Sequence, residues 1–190
     1  MSLRRKWLRD KLVKERSLRK FDAPIQEEKP IFVSDYLSSK HICFFESACS
    51  QEFVLNKLVG MLSFDDPASV FSAIQQREQS GSTVVTSGIA FPHARIQGLS
   101  GIVAALGICP AGVSIASEEN PVYLLFIFVS PTEDTRSHLR FLASASSLFL
   151  KESFLEDLMK LKSPEAVWLE IMGLELKNKK RTAEVALINA

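Results

Sequence analysis

The most constraining feature of this 190-residue sequence is an apolar run of strand length, Val122 to Val129. Such a strand has no polar face that can be left in contact with water, so other elements must cover both of its sides. Segments with helical caps and helical spacing occur both before and after the run. The sequence therefore predicts an α/β fold, a mixed β-sheet of about five strands flanked by helices on both faces.

Capping residues and breakers predict where the other elements begin and end. Asp66-Pro67 is a strong helix start, because Asp caps the first turn and Pro suits the first helical position. Short strands are expected where β-branched and apolar residues cluster. The expected strands lie at 42–45, in the first part of 82–95 and at 102–109. The expected helices run from Ser34 to Leu37, from Ser50, from Asp66 to near Gly81, from the segment 131–134 to about Leu150, over 154–161, and from Ser163 to Gly173.

Charge and composition divide the chain into a basic N-terminal extension at 1–30, one domain at 31–173 and a C-terminal tail at 174–190. Residues 1–20 hold nine Lys/Arg against two acidic residues, a net charge of +7, so residues 21–190 carry −6 of the overall +1. Apolar residues recur at helical spacing in this extension, which predicts a short basic amphipathic helix containing Leu3, Trp7, Leu8 and Leu12.

Two interpretations of the basic extension remain open. It fits a contact with an acidic partner, nucleic acid or anionic lipid. A solvated arm is the preferred interpretation, because short basic tails are common. Nucleic acid is therefore not expected as a partner.

Several classes of protein are excluded by composition. No segment approaches the roughly 20 apolar residues that cross a bilayer, and no apolar block follows the basic N-terminus as it would in a secretory signal. Cys43, Cys49 and Cys109 have apolar neighbours, which indicates free thiols in a reducing compartment. A lone His41-x-Cys43 pair does not have the spacing of a metal site. We therefore expect a cytoplasmic protein without membrane insertion and without a metal.

The chain has only three histidines, so each can be weighed as a catalytic group. His41 precedes an apolar strand, where a structural role is expected. His93 follows Pro92 in a loop and lies near Arg95. His138 lies in the first turns of a helix after the longest buried strand, at a sheet edge of the kind where ligands gather. Spacing alone does not distinguish His93 and His138 from surface histidines without a function.

Histidine is suited to phosphoryl relay for a chemical reason. Its neutral imidazole is a nucleophile near pH 7, and a phosphorylated imidazole is in turn a good donor. Such a transfer needs alignment and positive charge near the phosphoryl oxygens more than covalent assistance. Arg77 and Arg95 are candidates for that charge, and the hydroxyls of Ser82 and Thr83 are candidate hydrogen-bond donors to the phosphate.

Two blocks, R-E-Q-S-G-S-T at 77–83 and G-I-A-F-P-H at 88–93, resemble the active-site signature of enzyme IIA domains of the fructose/mannitol type. These domains belong to the bacterial phosphoenolpyruvate-dependent phosphotransferase system, and the nitrogen-regulatory IIA branch is the most similar. Further matching blocks follow at fitting spacing, N-P-V at 120–122, V-S-P at 129–131 and S-H-L-R-F-L at 137–142. The resemblance covers about residues 31–173.

The resemblance implies a mixed sheet with helices on both faces and assigns roles to three residues. His93 would be phosphorylated by a histidine phosphocarrier protein, His138 would orient or stabilise the phosphorylated ring, and Arg77 would support the phosphate-binding surface. No metal or organic cofactor is implied. A regulatory target or an IIB-type acceptor would be the downstream partner.

The sequence departs from the family pattern T-G-x-G-N-G-I-A-x-P-H-G at four positions, Val84, Thr86, Ser87 and Ala94. Glycine supplies backbone freedom and close approach, so these changes concern the rate of phosphorylation more than the identity of the acceptor. The chain contains neither a membrane domain nor a cysteine-bearing loop like that of the next relay partner. We therefore expect a phosphoryl-relay protein with a nitrogen-regulatory-like role. The alternative is a IIA-fold binding module with impaired phosphotransfer that regulates a protein partner by docking.

Overall fold

The computed structural model describes residues 29–86, 88–151 and 153–188. The basic helix predicted within residues 1–20 lies outside the described residues. The described part contains two 3₁₀ turns, seven strands and five α-helices. Their bounds are Val33–Asp35 and Ser39–His41 for the 3₁₀ turns; β1 Ile42–Phe44, β2 Cys49–Ser50, β3 Val84–Thr86, β4 Ile89–Ala90, β5 His93–Ile96, β6 Val103–Ser114 and β7 Val122–Pro131 for the strands; and α1 Gln51–Met61, α2 Pro67–Gln79, α3 Thr135–Phe149, α4 Phe154–Lys160 and α5 Pro164–Ile188 for the helices.

The strands form one mixed sheet in the order β1-β6-β7-β4-β3, with β2 also beside β6 and β5 also beside β7. β7 pairs antiparallel with β6 and parallel with β4 and β5. The prediction of a mixed α/β sheet is confirmed. The sheet has seven strands rather than about five, because β1 and β2 are successive pieces beside β6, and β4 and β5 are successive pieces beside β7.

The apolar run at 122–129 forms most of β7 and is buried on both faces. Leu124, Phe126 and Phe128 lie in one hydrophobic cluster with residues of α3, α4 and α5. Leu125 and Ile127, which alternate with them, lie in a second cluster with residues of α1 and α2. Helices therefore cover both faces of the sheet as predicted, and full burial of each large side chain contributes about 1.5–3 kcal/mol.

Two predicted N-caps, Ser50 and Asp66, are confirmed by hydrogen bonds to the first turn of their helices. Ser50 Oγ accepts from the Phe53 N–H at 3.2 Å, and Asp66 Oδ1 accepts from the Ser69 N–H at 3.1 Å. Asp134 Oδ1 likewise accepts a hydrogen bond at 2.9 Å from the N–H three residues later. Each cap contributes about 1 kcal/mol and fixes the residue at which its helix begins.

The last helix differs from its prediction, because it passes through Gly173 and continues to Ile188. A helical glycine costs only about 1 kcal/mol relative to alanine, which tertiary contacts can outweigh. The contact here is Glu175, whose buried carboxylate accepts hydrogen bonds from the Val33 N–H at 2.6 Å and from the Ser34 N–H and hydroxyl at 3.1 and 2.5 Å. Ser34 consequently lies inside a 3₁₀ turn and does not cap a helix through Leu37.

β6 is also longer than predicted. The strand expected at 102–109 continues past Pro110 to Ser114, with a shift of register between Ile108 and Val113 opposite β7. Gly112 has φ +90°, a conformation that glycine adopts without strain, so the expected turn is replaced by an irregularity within the strand. In the described part of the chain, no helix has the length and apolar character that crossing a membrane requires.

The buried carboxylate of Glu175 yields a prediction about stability. Glu175→Ala leaves the backbone N–H groups of Val33 and Ser34 without their partner, so the free energy of unfolding should fall by about 2 kcal/mol. Urea denaturation followed by circular dichroism measures the change. Glu170→Ala, five residues earlier on α5, is the matched control and should have a much smaller effect. Equal losses in the two variants would contradict this role of Glu175.

Candidate functional site

A shallow hollow of about 370 Å³ lies between the C-terminal end of α2, β5 and the first turn of α3. It contains four residues that the sequence singled out, His93, His138, Arg77 and Arg95, although they are far apart in the chain. None of the other four lining residues, Ala73, Gln76, Ser80 and Ala94, was predicted as a site residue, although Ala94 is one of the departures from the family pattern. The hollow therefore joins two imidazoles with two guanidinium groups.

His93 is the first residue of β5, not a loop residue as predicted, and it pairs in parallel register with Phe128 of β7. Its side chain is only 8% exposed, and its ring stacks on the ring of Phe128 with the centroids 5.1 Å apart and the planes 15° apart. Because register partners in a parallel pair project to the same face, the strand pairing places the imidazole on the phenyl ring. Strand and stacking together hold the imidazole in one orientation.

A hydrogen bond determines which nitrogen of His93 is reactive. Nδ1 lies 2.8 Å from the carbonyl oxygen of Phe91, which can only accept, so Nδ1 carries the proton and donates it. The neutral ring then has its lone pair on Nε2. No hydrogen-bonding partner is found for this Nε2 among the described residues. Every buried side-chain nitrogen in that part of the chain has a partner, so this Nε2 is not buried and is open to the hollow that His93 lines.

His138 lies in the first turn of α3, which follows β7 after a short connection. Its ring centroid is 5.3 Å from that of His93, with 57° between the ring planes. Its Nδ1 lies 2.7 Å from Oγ of Ser130, a residue of β7 with no exposed surface. The two imidazoles are thus close enough for one ion or small group to contact both.

Burial and neighbouring charge keep both imidazoles neutral at pH 7. Burial is the main cause that lowers the pKa of His93; the hydrogen bond to Phe91 opposes this shift and the charge of Arg77 adds to it. The pKa of His138 is lowered to about 4, first by burial and then by the charges of His93, Arg95 and Arg77. A neutral imidazole is the nucleophilic form, so the environment favours reactivity at Nε2 of His93.

The two arginines are anchored by part of their donor sets. Arg77, near the end of α2, donates from Nη1 to the carbonyl oxygen of Gly81 at 3.0 Å. Arg95 donates from Nη2 to the carbonyl oxygen of Thr132 and, at 2.6 Å, to the hydroxyl of Thr135. A guanidinium has five N–H donors, so each arginine keeps donors for an anion in the hollow that it lines.

The structure does not bring Ser82 and Thr83 to the hollow. The Ser82 hydroxyl donates to Oε1 of Glu118 at 2.7 Å, and the hydroxyl of Thr83, a buried residue, donates to Oε1 of Glu78. Both hydroxyls therefore donate hydrogen bonds to carboxylates of the protein, and neither residue lines the hollow. Their position does not support the predicted role as hydrogen-bond donors to the phosphate.

Val84, Thr86 and Ala94 stand where the family pattern has glycine. Val84 and Thr86 lie in β3, which pairs antiparallel with β4, and neither lines the hollow. Ala94 is buried in the cluster beneath α1 and α2, where its methyl group is accommodated. Gly88 differs from these, because it has φ +96° and an added Cβ would lie 2.9 Å from a ring carbon of Tyr123.

Phe128 and Ser130 are members of the site that were not predicted. A signal was present, because Ser130 is the polar residue that continues the alternating series Leu124, Phe126, Phe128 on one face of β7. A buried hydroxyl in an apolar series indicates a specific partner. As for metals, the described residues contain no group of three or more His, Cys, Asp or Glu that could hold an ion.

Comparison with known proteins gives a family match and similar structures. Residues 35–172 match the family model described as the phosphoenolpyruvate-dependent sugar phosphotransferase system, EIIA 2. A fructose-specific EIIA component from Haloferax volcanii is 29% identical over 117 residues, which cover 61% of this chain and 76% of that protein.

Solved structures share the fold. The nitrogen regulatory protein IIA-Ntr from Neisseria meningitidis matches with a TM-score of 0.66 and 29% identity, over 73% of this chain and 98% of that one. Enzyme IIA mannitol from Escherichia coli, solved in complex with phosphorylated enzyme IIB mannitol, matches with a TM-score of 0.61 over 72% of this chain and 97% of that one. Its identity is 19%, so this likeness concerns the fold alone.

The depressed pKa of His138 can be tested directly. The ring protons of His138 should titrate in NMR spectra with a pKa of about 4, because its partly enclosed ring and the cationic neighbours disfavour the charged form. A titration midpoint near the usual 6.5 would show that the ring is solvated and that the hollow is more open than described.

The same shift makes stability depend on pH. Between pH 6.5 and 4 the unfolded chain takes up a proton at residue 138 and the folded chain does not, so acidification lowers the free energy of unfolding. This group contributes a slope of at most about 1.4 kcal/mol per pH unit, which His138→Gln should remove. Urea denaturation of the two proteins at several pH values measures the difference, and identical slopes would contradict it.

Proposed function

The chain belongs to the EIIA type 2 family of the phosphoenolpyruvate-dependent sugar phosphotransferase system, and from this premise we propose that it accepts a phosphoryl group on Nε2 of His93 and passes it on. The observation that carries the proposal is the hydrogen bond from Nδ1 of His93 to the carbonyl oxygen of Phe91. It leaves the lone pair on Nε2, the atom that opens into a hollow lined by cationic side chains.

The transfer balances without an external acid or base. The Nε2 lone pair attacks the phosphorus of a protonated phosphohistidine on the donor, the donor N–P bond breaks, and its electron pair returns to the donor ring. The donor imidazole becomes neutral, and the His93 ring becomes a phosphorylated cation that keeps its proton on Nδ1. The Phe91 carbonyl and the face of Phe128 both stabilise that cation, by a charge-assisted hydrogen bond and by a cation–π contact.

The remaining groups of the hollow act on the phosphoryl oxygens. Phosphoryl transfer depends mainly on alignment and electrostatic stabilisation, because the transition state is loose and needs little covalent assistance. Arg77 and Arg95 supply positive charge, and His138, whose ring is 5.3 Å from that of His93, supplies a nearby hydrogen-bonding nitrogen. Each hydrogen bond to a charged group contributes about 1.5–3 kcal/mol.

We further propose a histidine phosphocarrier protein as the donor and a IIB-type protein or regulatory protein as the downstream partner. The Escherichia coli relative is known in complex with phosphorylated IIB, and the Neisseria meningitidis relative is a nitrogen regulatory protein, which supports a regulatory role. Leu139 is 58% exposed directly beside His138 and offers an apolar contact next to the hollow.

We place this exchange in the cytoplasm and assign it to the domain predicted at 31–173. The first part of the predicted tail at 174–190 belongs with this domain, because α5 continues through it and Glu175 is buried against Val33 and Ser34. The three cysteines in the described part of the chain are free, which fits a reducing compartment. The alternative of a IIA-fold docking module with impaired phosphotransfer is less well supported. Val84 and Thr86 lie away from the hollow. Ala94 lines the hollow but is buried in the cluster beneath α1 and α2, and Nε2 of His93 remains open.

The proposed function predicts a specific labelling pattern. Incubation with a phosphorylated histidine phosphocarrier protein should place an acid-labile, base-stable phosphate on the wild-type chain and none on His93→Ala. Arg77→Ala should accept phosphate about 10–100 times more slowly, because one charge-assisted contact to the phosphoryl oxygens is lost. Radiolabel transfer followed over time measures these rates.

Ser82→Ala is the matched control, because Ser82 lies outside the hollow and should leave the rate unchanged. Equal labelling of wild type and His93→Ala would refute the acceptor. A folded wild-type protein that takes up no phosphate from a complete relay, but retains a bound partner, would favour the docking module instead.

A further inference from the structure

Ser130 is a buried polar residue that the proposed transfer does not by itself require. It has no exposed surface, and it continues the apolar series of Phe126 and Phe128 on one face of β7. Its hydroxyl lies 2.7 Å from Nδ1 of His138. Among the described residues, the one hydrogen-bonding partner found for this hydroxyl is the second imidazole of the site.

The direction of this hydrogen bond follows from its surroundings. Among the residues that the structure describes, no second hydrogen-bonding partner is found for the Ser130 hydroxyl. If Nδ1–H of His138 donated to Oγ, the hydroxyl proton would be buried without an acceptor, which is unfavourable. If the hydroxyl donates to the Nδ1 lone pair, both groups are satisfied. The second arrangement is the one that the enclosure of Ser130 favours.

The donor direction fixes the tautomer of His138. A neutral ring that accepts at Nδ1 carries its proton on Nε2. No partner is found for this Nε2 among the described residues, and since buried side-chain nitrogens there all have partners, the atom is open to the hollow. An N–H at this point can donate to an anion, whereas a lone pair at the same point would repel one.

We propose that Ser130 is a positioning residue, whose hydroxyl holds His138 in the Nε2–H tautomer so that His138 donates a hydrogen bond to a phosphoryl group on His93. The inference rests on the proposed function, since it assigns a donor to that same phosphoryl group. No proton is transferred in this step. The Ser130 hydroxyl and the His138 Nε2–H both keep their hydrogens, and only the hydrogen bond to the phosphoryl oxygen forms.

A merely structural role for Ser130 makes different predictions. A serine kept only to fill space or to satisfy its own hydroxyl would affect folding but not the tautomer of a neighbour. The proton position on His138 separates the two roles, because it is a property of the ring and not of overall stability. Long-range ¹H–¹⁵N NMR correlations of the imidazole distinguish an Nε2–H ring from an Nδ1–H ring.

The first experiment uses the wild-type protein at pH 7. The expected result is a His138 ring protonated on Nε2 and a His93 ring protonated on Nδ1. A His138 ring protonated mainly on Nδ1 would overturn the inference, whatever the behaviour of any variant. This measurement needs neither phosphate nor a partner, so it does not depend on the success of the relay experiment.

The second experiment compares Ser130→Thr with Ser130→Val, two variants of nearly equal shape that differ in a hydroxyl. Ser130→Thr should keep the Nε2–H tautomer and a phosphorylation rate within about threefold of wild type. Ser130→Val should give mixed His138 tautomers and a rate about tenfold lower, because one charge-assisted hydrogen bond is weakened. A wild-type rate and an unchanged tautomer in Ser130→Val would overturn the inference.

A double variant shows whether Ser130 acts through His138. In a His138→Gln background, Ser130→Val should lower the rate no further, since the ring that it orients is absent. A full additional tenfold loss in that background would mean that Ser130 acts on phosphorylation in another way. Failure of the wild type to label on His93 would refute the proposed function itself, and the wild-type tautomer would still decide the inference about Ser130.

Discussion

The double-sided burial of β7 is the constraint on which both the fold and the candidate site depend. Its alternating side chains enter two hydrophobic clusters, one beneath α1 and α2 and the other beneath α3, α4 and α5. A slip by one residue would therefore move each set of side chains into the other cluster and disrupt the packing of both. The last residues of that fixed strand, Phe128 and Ser130, are also the supports of the two site imidazoles. A requirement of packing thus becomes a requirement on the position of two reactive rings.

The same burial determines the chemistry that the rings can perform. An imidazole at the end of an apolar strand is desolvated, so its charged form is disfavoured and its pKa falls. A neutral imidazole can carry its proton on either nitrogen. A mixture of the two tautomers would make both rings poor partners for an anion. Hydrogen bonds to Phe91 and Ser130 give each Nδ1 a fixed partner, and each Nε2 then faces the hollow. The carbonyl partner of His93 dictates a lone pair at Nε2, and a lone pair is what a nucleophile needs.

Much of this arrangement could be predicted from sequence, and the failures have physical causes. The apolar run at 122–129 and the caps at Ser50 and Asp66 act through local rules, so these elements were predicted closely. The continuation of α5 beyond Gly173 depends on a contact between Glu175 and the turn at 33–35, although Glu175 and Val33 are 142 residues apart in the chain. No local rule contains such a contact. The proximity of His93 and His138 was expected from the family resemblance. The hydrogen bond between Ser130 and His138 could be recognised only from the alternation of side chains along β7 together with the three-dimensional structure.

Hydroxyl groups near a reactive histidine in sequence need not be near it in space, as Ser82 and Thr83 demonstrate. Both residues precede β3, which pairs with β4 from Val84 onward. β3 is the edge strand at one end of the sheet, so the chain runs along that edge. The β-branched residues Val84 and Thr86 favour this extended pairing, whereas glycines at those positions would leave the segment freer. The departures at Val84 and Thr86 therefore lie at the edge of the sheet, whereas the hollow is formed by α2, β5 and α3 and includes Ala94 of β5. Because the two regions have no lining residue in common, the segment at 82–86 can diverge in sequence while the geometry around Nε2 of His93 is kept.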